Sequence, residues 1–235
     1  MLYAGSVLLL LAYVGSRDYG ADDAKGAIDF GAFKTHLTNL RAAGVTVWVP
    51  CGSSGEYNLM SDAERESVLQ FVKDFAQPGE TLIAGTNAPH TAGVIANTKR
   101  AKEIGYDTVL LATPFYTKPT QAELIKHFNA VLDAVDVNIV LYSYPDKDGV
   151  ELGWEALDAL ADHPRVIGIK ESSGSLQRAI GIATRYDGRI QLVSGSDDIA
   201  LDFMFWGADS WICGPANCMA KAVCDLDRTF RAGDL

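Results

Sequence analysis

Val166-Ile167-Gly168-Ile169-Lys170-Glu171-Ser172-Ser173-Gly174 is a short apolar run that ends in a polar, glycine-containing turn, and a helical pattern follows at 176–186. An apolar run without polar alternation suits a strand covered on both faces, as in a parallel sheet. The same unit recurs on either side. Apolar runs at 7–12, 46–50, 81–85, 108–112, 138–142, 191–194 and 210–213 alternate with amphipathic stretches at 29–43, 61–75, 91–104, 121–135, 154–161, 199–206 and 221–231. Phe30, Phe33, Leu37 and Leu40 make one helical stripe closed by Gly44, and Ser61-Asp62-Ala63-Glu64 reads as a capping box. Each interval has the length that a βαβ crossover needs. An open doubly wound sheet would carry a Gly-x-Gly-x-x-Gly turn after its first strand, and 12–20 do not provide one; a Walker phosphate loop is also absent. About eight near-equal units predict an α/β fold of the (β/α)8 TIM-barrel type, one domain over residues 1–235.

The composition is the ordinary mix of a soluble globular protein. The 235 residues are 48% hydrophobic and 21% charged, with a formal net charge of -10. Without a basic stripe, no nucleic-acid partner is expected. The apolar stretch 7–14 is too short to span a bilayer and has no Lys or Arg before it, so a buried first strand is preferred to an export signal, and no membrane partner is expected. Cys51, Cys213, Cys218 and Cys224 lack a CxxC spacing and read as reduced, buried thiols of a cytoplasmic protein. His36, His90, His127 and His163 form no HxH or ExxH pair; solvated or capping roles suffice for them, and no metal is expected.

Active sites of such barrels gather in the loops after the strands. Those loops hold Gly52-Ser53-Ser54-Gly55-Glu56, Thr86-Asn87, Thr113-Pro114-Phe115-Tyr116, Ser143-Tyr144-Pro145, Ser172-Ser173-Gly174, Gly195-Ser196-Asp197-Asp198 and Gly214-Pro215-Ala216-Asn217. Period-2 alternation puts Val166, Gly168 and Lys170 on one face, with Ile167 and Ile169 packed on helices. Lys170 then points into the barrel mouth, where desolvation lowers its pKa to about 7–8 and leaves a neutral amine able to attack a carbonyl. The other reading is a lysine that snorkels to solvent, and spacing leaves both open. Tyr142 ends the preceding strand in the same register, as a proton relay or as a core tyrosine. Gly52-Ser53-Ser54-Gly55 is either a backbone nest for a carboxylate or a plain turn.

Four segments in register carry a resemblance: Gly52-Ser53-Ser54-Gly55-Glu56 with Glu64-Arg65; Pro114-Phe115-Tyr116 with Lys118-Pro119; Leu141-Tyr142-Ser143-Tyr144-Pro145; and Gly168-Ile169-Lys170-Glu171-Ser172-Ser173-Gly174. In order and spacing the chain resembles the dihydrodipicolinate synthase / N-acetylneuraminate lyase family. The resemblance implies a class I lyase with no metal or organic cofactor, in which Lys170 forms a Schiff base with pyruvate or a similar 2-oxo acid. It further implies Tyr142 and Ser53 as relay residues, and Tyr116 as the tyrosine that reaches a neighbouring subunit's site in a homo-oligomer, dimer or tetramer. Ser54 and Gly52 would hold the 2-oxo acid carboxylate, with Lys147 and Ile212 as further substrate contacts. The implied activity is 4-hydroxy-tetrahydrodipicolinate synthesis from pyruvate and aspartate semialdehyde. N-acetylneuraminate lyase, 2-oxo-3-deoxy sugar-acid aldolase or dehydratase, and hydroxyproline-pathway deaminase are the alternatives within the family.

Three departures bear on that expectation. The first strand has Leu9 where a small residue is usual and Ala12-Tyr13 where the family has Thr-Pro, which shrinks the 2-oxo acid site. Lys147 stands where synthases carry an arginine, and a lysine cannot make the bidentate clamp on a carboxylate. The sequence stops at Leu235, where family members continue into further helices, so a barrel lacking most of that C-terminal extension is expected. A truncated, catalytically silent relative that binds a small acid is the reading of a different class.

Overall fold

The computed structural model describes residues 6–10 and 27–234. Nine β-segments form one parallel sheet: β1 (Ser6–Leu10), β2 (Val47–Val49), β3 (Thr81–Leu82), β4 (Ala84–Gly85), β5 (Thr108–Ala112), β6 (Asn138–Ser143), β7 (Val166–Glu171), β8 (Gln191–Ser194) and β9 (Ser210–Cys213). Their order is β3-β2-β1-β9-β8-β7-β6-β5-β4, and the two ends of that order belong to one strand. β3 and β4 are separated by Ile83 alone, whose N–H donates to Trp48 O at 3.0 Å; the Gly85 N–H donates to Pro50 O at 2.9 Å while β4 pairs with β5. The sheet is thereby closed into a barrel of TIM type.

The helices are α1 (Phe30–Ala43), α2 (Asp62–Phe75), α3 (Thr91–Ile104), α4 (Gln121–Ala134), α5 (Pro145–Asp148), α6 (Trp154–Leu160), α7 (Leu176–Arg185), α8 (Ala200–Phe205) and α9 (Ala216–Ala232). Their ends follow local chemistry. Asp29 accepts from Ala32 N at the start of α1, and Gly44, at φ 112°, closes it in the left-handed region that favours glycine. Ser61 and Glu64 form the expected capping box of α2, and Thr120 with Glu123 repeats it on α4. Among the described residues no helix is long and apolar enough to cross a membrane.

Two apolar layers separate by strand alternation. Val47, Val49, Ile83, Leu110, Ala112, Val140, Tyr142, Val193 and Ile212 form a cluster without helical members, which is the filling of the barrel. Trp48, Val109, Leu111, Ile139, Leu141 and Ile169 point the other way and pack with helical residues such as Leu37, Val72, Phe128 and Leu157.

Four expectations need correction. Val166 does not share a face with Lys170: it joins the outer layer, while Ile167 packs against the barrel interior rather than on helices. The cause is a bulge, since Ile139 pairs with Val166 and the next residue, Val140, pairs with Gly168, leaving Ile167 as an extra residue in β7. From Gly168 onward the expected register holds. The last helix starts at Ala216, directly after Pro215, with Met219 non-helical at φ −137°, so the 214–217 segment is mostly helical turn rather than open loop. His127 is buried rather than solvated; Thr91 Oγ1 lies 2.9 Å from its Nδ1, and burial lowers its pKa to about 4. Of the cysteines, all free, Cys218 is exposed rather than buried. Leu9 pairs with Trp48 in backbone register, whereas its side chain and Ala12-Tyr13 lie outside the described residues.

Candidate active site

Lys170 and Tyr142 are direct register partners across β6 and β7, and both face the barrel interior. The Lys170 Nζ lies 4.2 Å from the centroid of the Tyr142 ring. Lys170 is only 3% exposed, so it does not snorkel to solvent. Burial lowers its pKa to about 8, against the opposing pull of Asp197, Cys213 and Asp148, and Lys147 adds to the lowering. A substantial neutral fraction is therefore available near physiological pH, which a nucleophilic amine needs.

The phenol of Tyr142 is buried as well, and burial pushes its pKa up, against hydrogen bonds with Ser53 and Ser172. It is thus held as a protonated donor inside a hydroxyl chain. Ser53 opens a 3-10 turn, Ser53–Gly55, that hangs from the end of β2 through Cys51, at φ 58°, and the extended Gly52. The structure therefore brings Ser53, Tyr142 and Lys170 together, as the sequence predicts.

Other candidates sit at the rim. Ser54 is exposed. Its Oγ and the Asp197 carboxylate flank Gly214, at 3.6 and 3.4 Å from where a Cβ would stand. Lys147, on the short helix α5, is exposed, with its Nζ 5.6 Å from the Tyr144 ring centroid. Ile212 is buried in the barrel filling beside Tyr142. Tyr116 is the one that does not join: it is 91% exposed, with a strained φ of 73°.

Three residues to which the sequence reading assigns no role contribute to the site. Gly195 backs the lysine, since a Cβ there would fall on Ser172 Oγ and stand 2.8 Å from Lys170 Cε. Gly195→Ala must therefore displace the reactive side chain; its trapping by borohydride in the presence of pyruvate is expected to slow on the order of 10²-fold. An unchanged trapping rate would remove Gly195 from the site. Glu171, fully buried, pairs with Arg178 Nε at 2.8 Å on the outer face of β7. Asp148, the last residue of α5, is a buried carboxyl that accepts from Thr113 Oγ1 at 3.0 Å.

The profile of the dihydrodipicolinate synthetase family matches residues 21–235, a span that contains the whole constellation. The chain belongs to that family. The 4-hydroxy-tetrahydrodipicolinate synthase of Geobacter sulfurreducens is 39% identical over 210 residues, which cover 89% of this chain and 72% of that protein. The enzyme of the same name from Trichlorobacter lovleyi is 41% identical over the same shares of the two chains. Among solved structures, the dihydrodipicolinate synthase of Acinetobacter baumannii complexed with pyruvate superposes with a TM-score of 0.90 at 30% identity, over 98% of this chain and 77% of that one. This dihydrodipicolinate synthetase family member thus shares the barrel of a protein whose structure holds pyruvate.

Proposed function

We propose that this family member is a 4-hydroxy-tetrahydrodipicolinate synthase that joins pyruvate to aspartate semialdehyde through an imine on Lys170. The observation that carries this reading is a buried lysine of lowered pKa packed on a tyrosine that is hydrogen-bonded to Ser53. The neutral amine attacks C2 of pyruvate, and the Tyr142 phenol moves the protons needed to expel the carbonyl oxygen as water. The protonated imine then draws electrons from C3, which loses a proton to give an enamine. That carbon attacks the aldehyde, whose oxygen takes up a proton. The α-amino group that the aldehyde already carries, once it has given up a proton, attacks the imine carbon and releases Lys170. Imine and tyrosine carry every step, so the reaction calls for no metal or organic cofactor.

Backbone N–H groups of the 52–55 turn, with Ser54, receive the pyruvate carboxylate, and Lys147 receives the carboxylate of the aldehyde as a single point charge. Tyr116, exposed on its own subunit, completes the relay of a neighbour in a homo-oligomer. The test is borohydride reduction in the presence of pyruvate, followed by a turnover assay with aspartate semialdehyde and with hydroxylated sugar acids. The expected result is an adduct confined to Lys170 and faster turnover of aspartate semialdehyde. An adduct that survives Lys170→Ala overturns the imine; faster turnover of sugar acids moves the chain to a sister activity, and an adduct without any turnover marks it as silent.

A further inference from the structure

We propose that Asp148 receives the ammonium group of the second substrate, so that this site selects an α-amino aldehyde over the same aldehyde without its amine. The inference rests on the imine-and-aldehyde reading above and adds to it the residue that recognises the amine. Asp148 closes α5, the short helix that starts three residues after Tyr142. It is buried, 7% exposed, and its Oδ2 accepts from Thr113 Oγ1 at 3.0 Å. The Tyr144 backbone adds a second hydrogen bond. A carboxylate has about four acceptor positions, so two donors leave capacity for a third.

What Asp148 lacks is a cation of its own. Among the described residues, none lies within ion-pair distance of it, whereas the other buried acid near the lysine, Glu171, has Arg178 at 2.8 Å. Burial pushes the Asp148 carboxyl up to about 6, against its two hydrogen bonds and the fields of Lys147 and Lys170. It is still mostly ionised at neutral pH, as a desolvated anion whose cost a bound cation would offset. Its position is also apt. The charges of Asp148 and Lys147 both act on the Lys170 amine, and the helix that carries them follows β6, so the pair lies at the same end of the barrel as the imine. A cation and an anion adjacent in the chain, one exposed and one buried, match the carboxylate and ammonium on the α-carbon of an amino acid.

The experiment compares aspartate semialdehyde with succinic semialdehyde, which is the same aldehyde with hydrogen in place of the ammonium. The adduct of the latter has no amine to displace Lys170 and must be released by water, so the consumption of each aldehyde by the preformed pyruvate adduct is followed in a single turnover. Asp148→Asn is expected to lower kcat/KM for aspartate semialdehyde about 10–100-fold, mainly through KM, and to leave the rate at which the pyruvate adduct consumes succinic semialdehyde little affected. Thr113→Val, which removes the hydrogen bond and keeps the charge, retains the preference of the wild-type protein. Asp148→Ser supplies the same comparison should the amide variant not fold. Equal losses toward both aldehydes, or the same loss of preference in Thr113→Val, overturn the assignment of Asp148 and leave the imine reading intact. A wild-type chain whose pyruvate adduct consumes neither aldehyde overturns both the assignment and the proposed second substrate.

Discussion

Lys170→Met is expected to abolish the pyruvate adduct and to lower turnover on the order of 10⁴-fold or more, because the nucleophile itself is gone. The same substitution is expected to make the protein more stable. A lysine whose pKa falls from 10.5 to about 8 on folding binds its proton less tightly in the folded than in the unfolded chain. Below pH 8 both states are protonated, and the folded one carries the full penalty, about 3 kcal/mol at 1.36 kcal/mol per unit. As pH rises from about 8 toward 10.5 the folded amine is already neutral while the unfolded one still binds its proton, and the penalty fades. Methionine removes it, so urea denaturation at pH 7 should show a gain of about 2–3 kcal/mol, reduced somewhat because Asp197 and Asp148 lose a nearby positive charge. At pH 10.5 the gain should be largely absent. In the wild-type protein the same pKa makes the rate of pyruvate trapping rise through about pH 8, as the neutral amine accumulates. A methionine variant less stable than the parent at pH 7 would show that the amine is not desolvated.

Much of this arrangement is legible from the chain, and what is not has identifiable reasons. Segments bounded by local signals, such as α3 between its cap at His90 and Gly105, or β5 between Asp107 and Thr113, keep the limits that the sequence predicts. Lys170 and Tyr142 are legible because each ends an apolar run. Their shared direction depends only on period-2 alternation near the strand end. The faces of Val166 and Ile167 are not legible, since a bulge is a property of β7 against β6 and leaves no mark in β7 alone. Asp148 stands in the charged run Asp146-Lys147-Asp148, which carries no sign of burial, and only the approach of Thr113 from the loop after β5 shows that it is buried. His127 had a signal that could have been used, because it lies in α4 on the apolar stripe of Leu124, Phe128 and Val131. Gly195 had none, because its need for a missing Cβ comes from side chains at the end of the preceding strand, β7.

The second large effect concerns Arg178, whose guanidinium ties the end of β7 to the segment between α5 and α6. Its Nε meets Glu171, the neighbour of Lys170, at 2.8 Å, and a second nitrogen donates to the Leu152 carbonyl in the segment after α5. The guanidinium also packs 5.1 Å from the Trp154 ring centroid. Arg178→Met leaves the fully buried Glu171 carboxylate without its cation, with only the Ser173 N–H at 2.7 Å to satisfy it. Loss of one partner of a buried pair costs about 3–5 kcal/mol, far more than the net worth of the pair, because the remaining charge stays desolvated. Urea denaturation should therefore show a loss of that size for Arg178→Met, and a much smaller one when Glu171→Gln is added, since the glutamine carries no charge to strand. A single substitution costing under about 1 kcal/mol would mean that water reaches Glu171. The double variant also separates folding from positioning. It restores most of the stability and still lacks the bond to Leu152, so a pyruvate-trapping rate that stays low in a well-folded double variant assigns Arg178 a part in aiming Lys170, and a rate that returns with stability confines it to the fold.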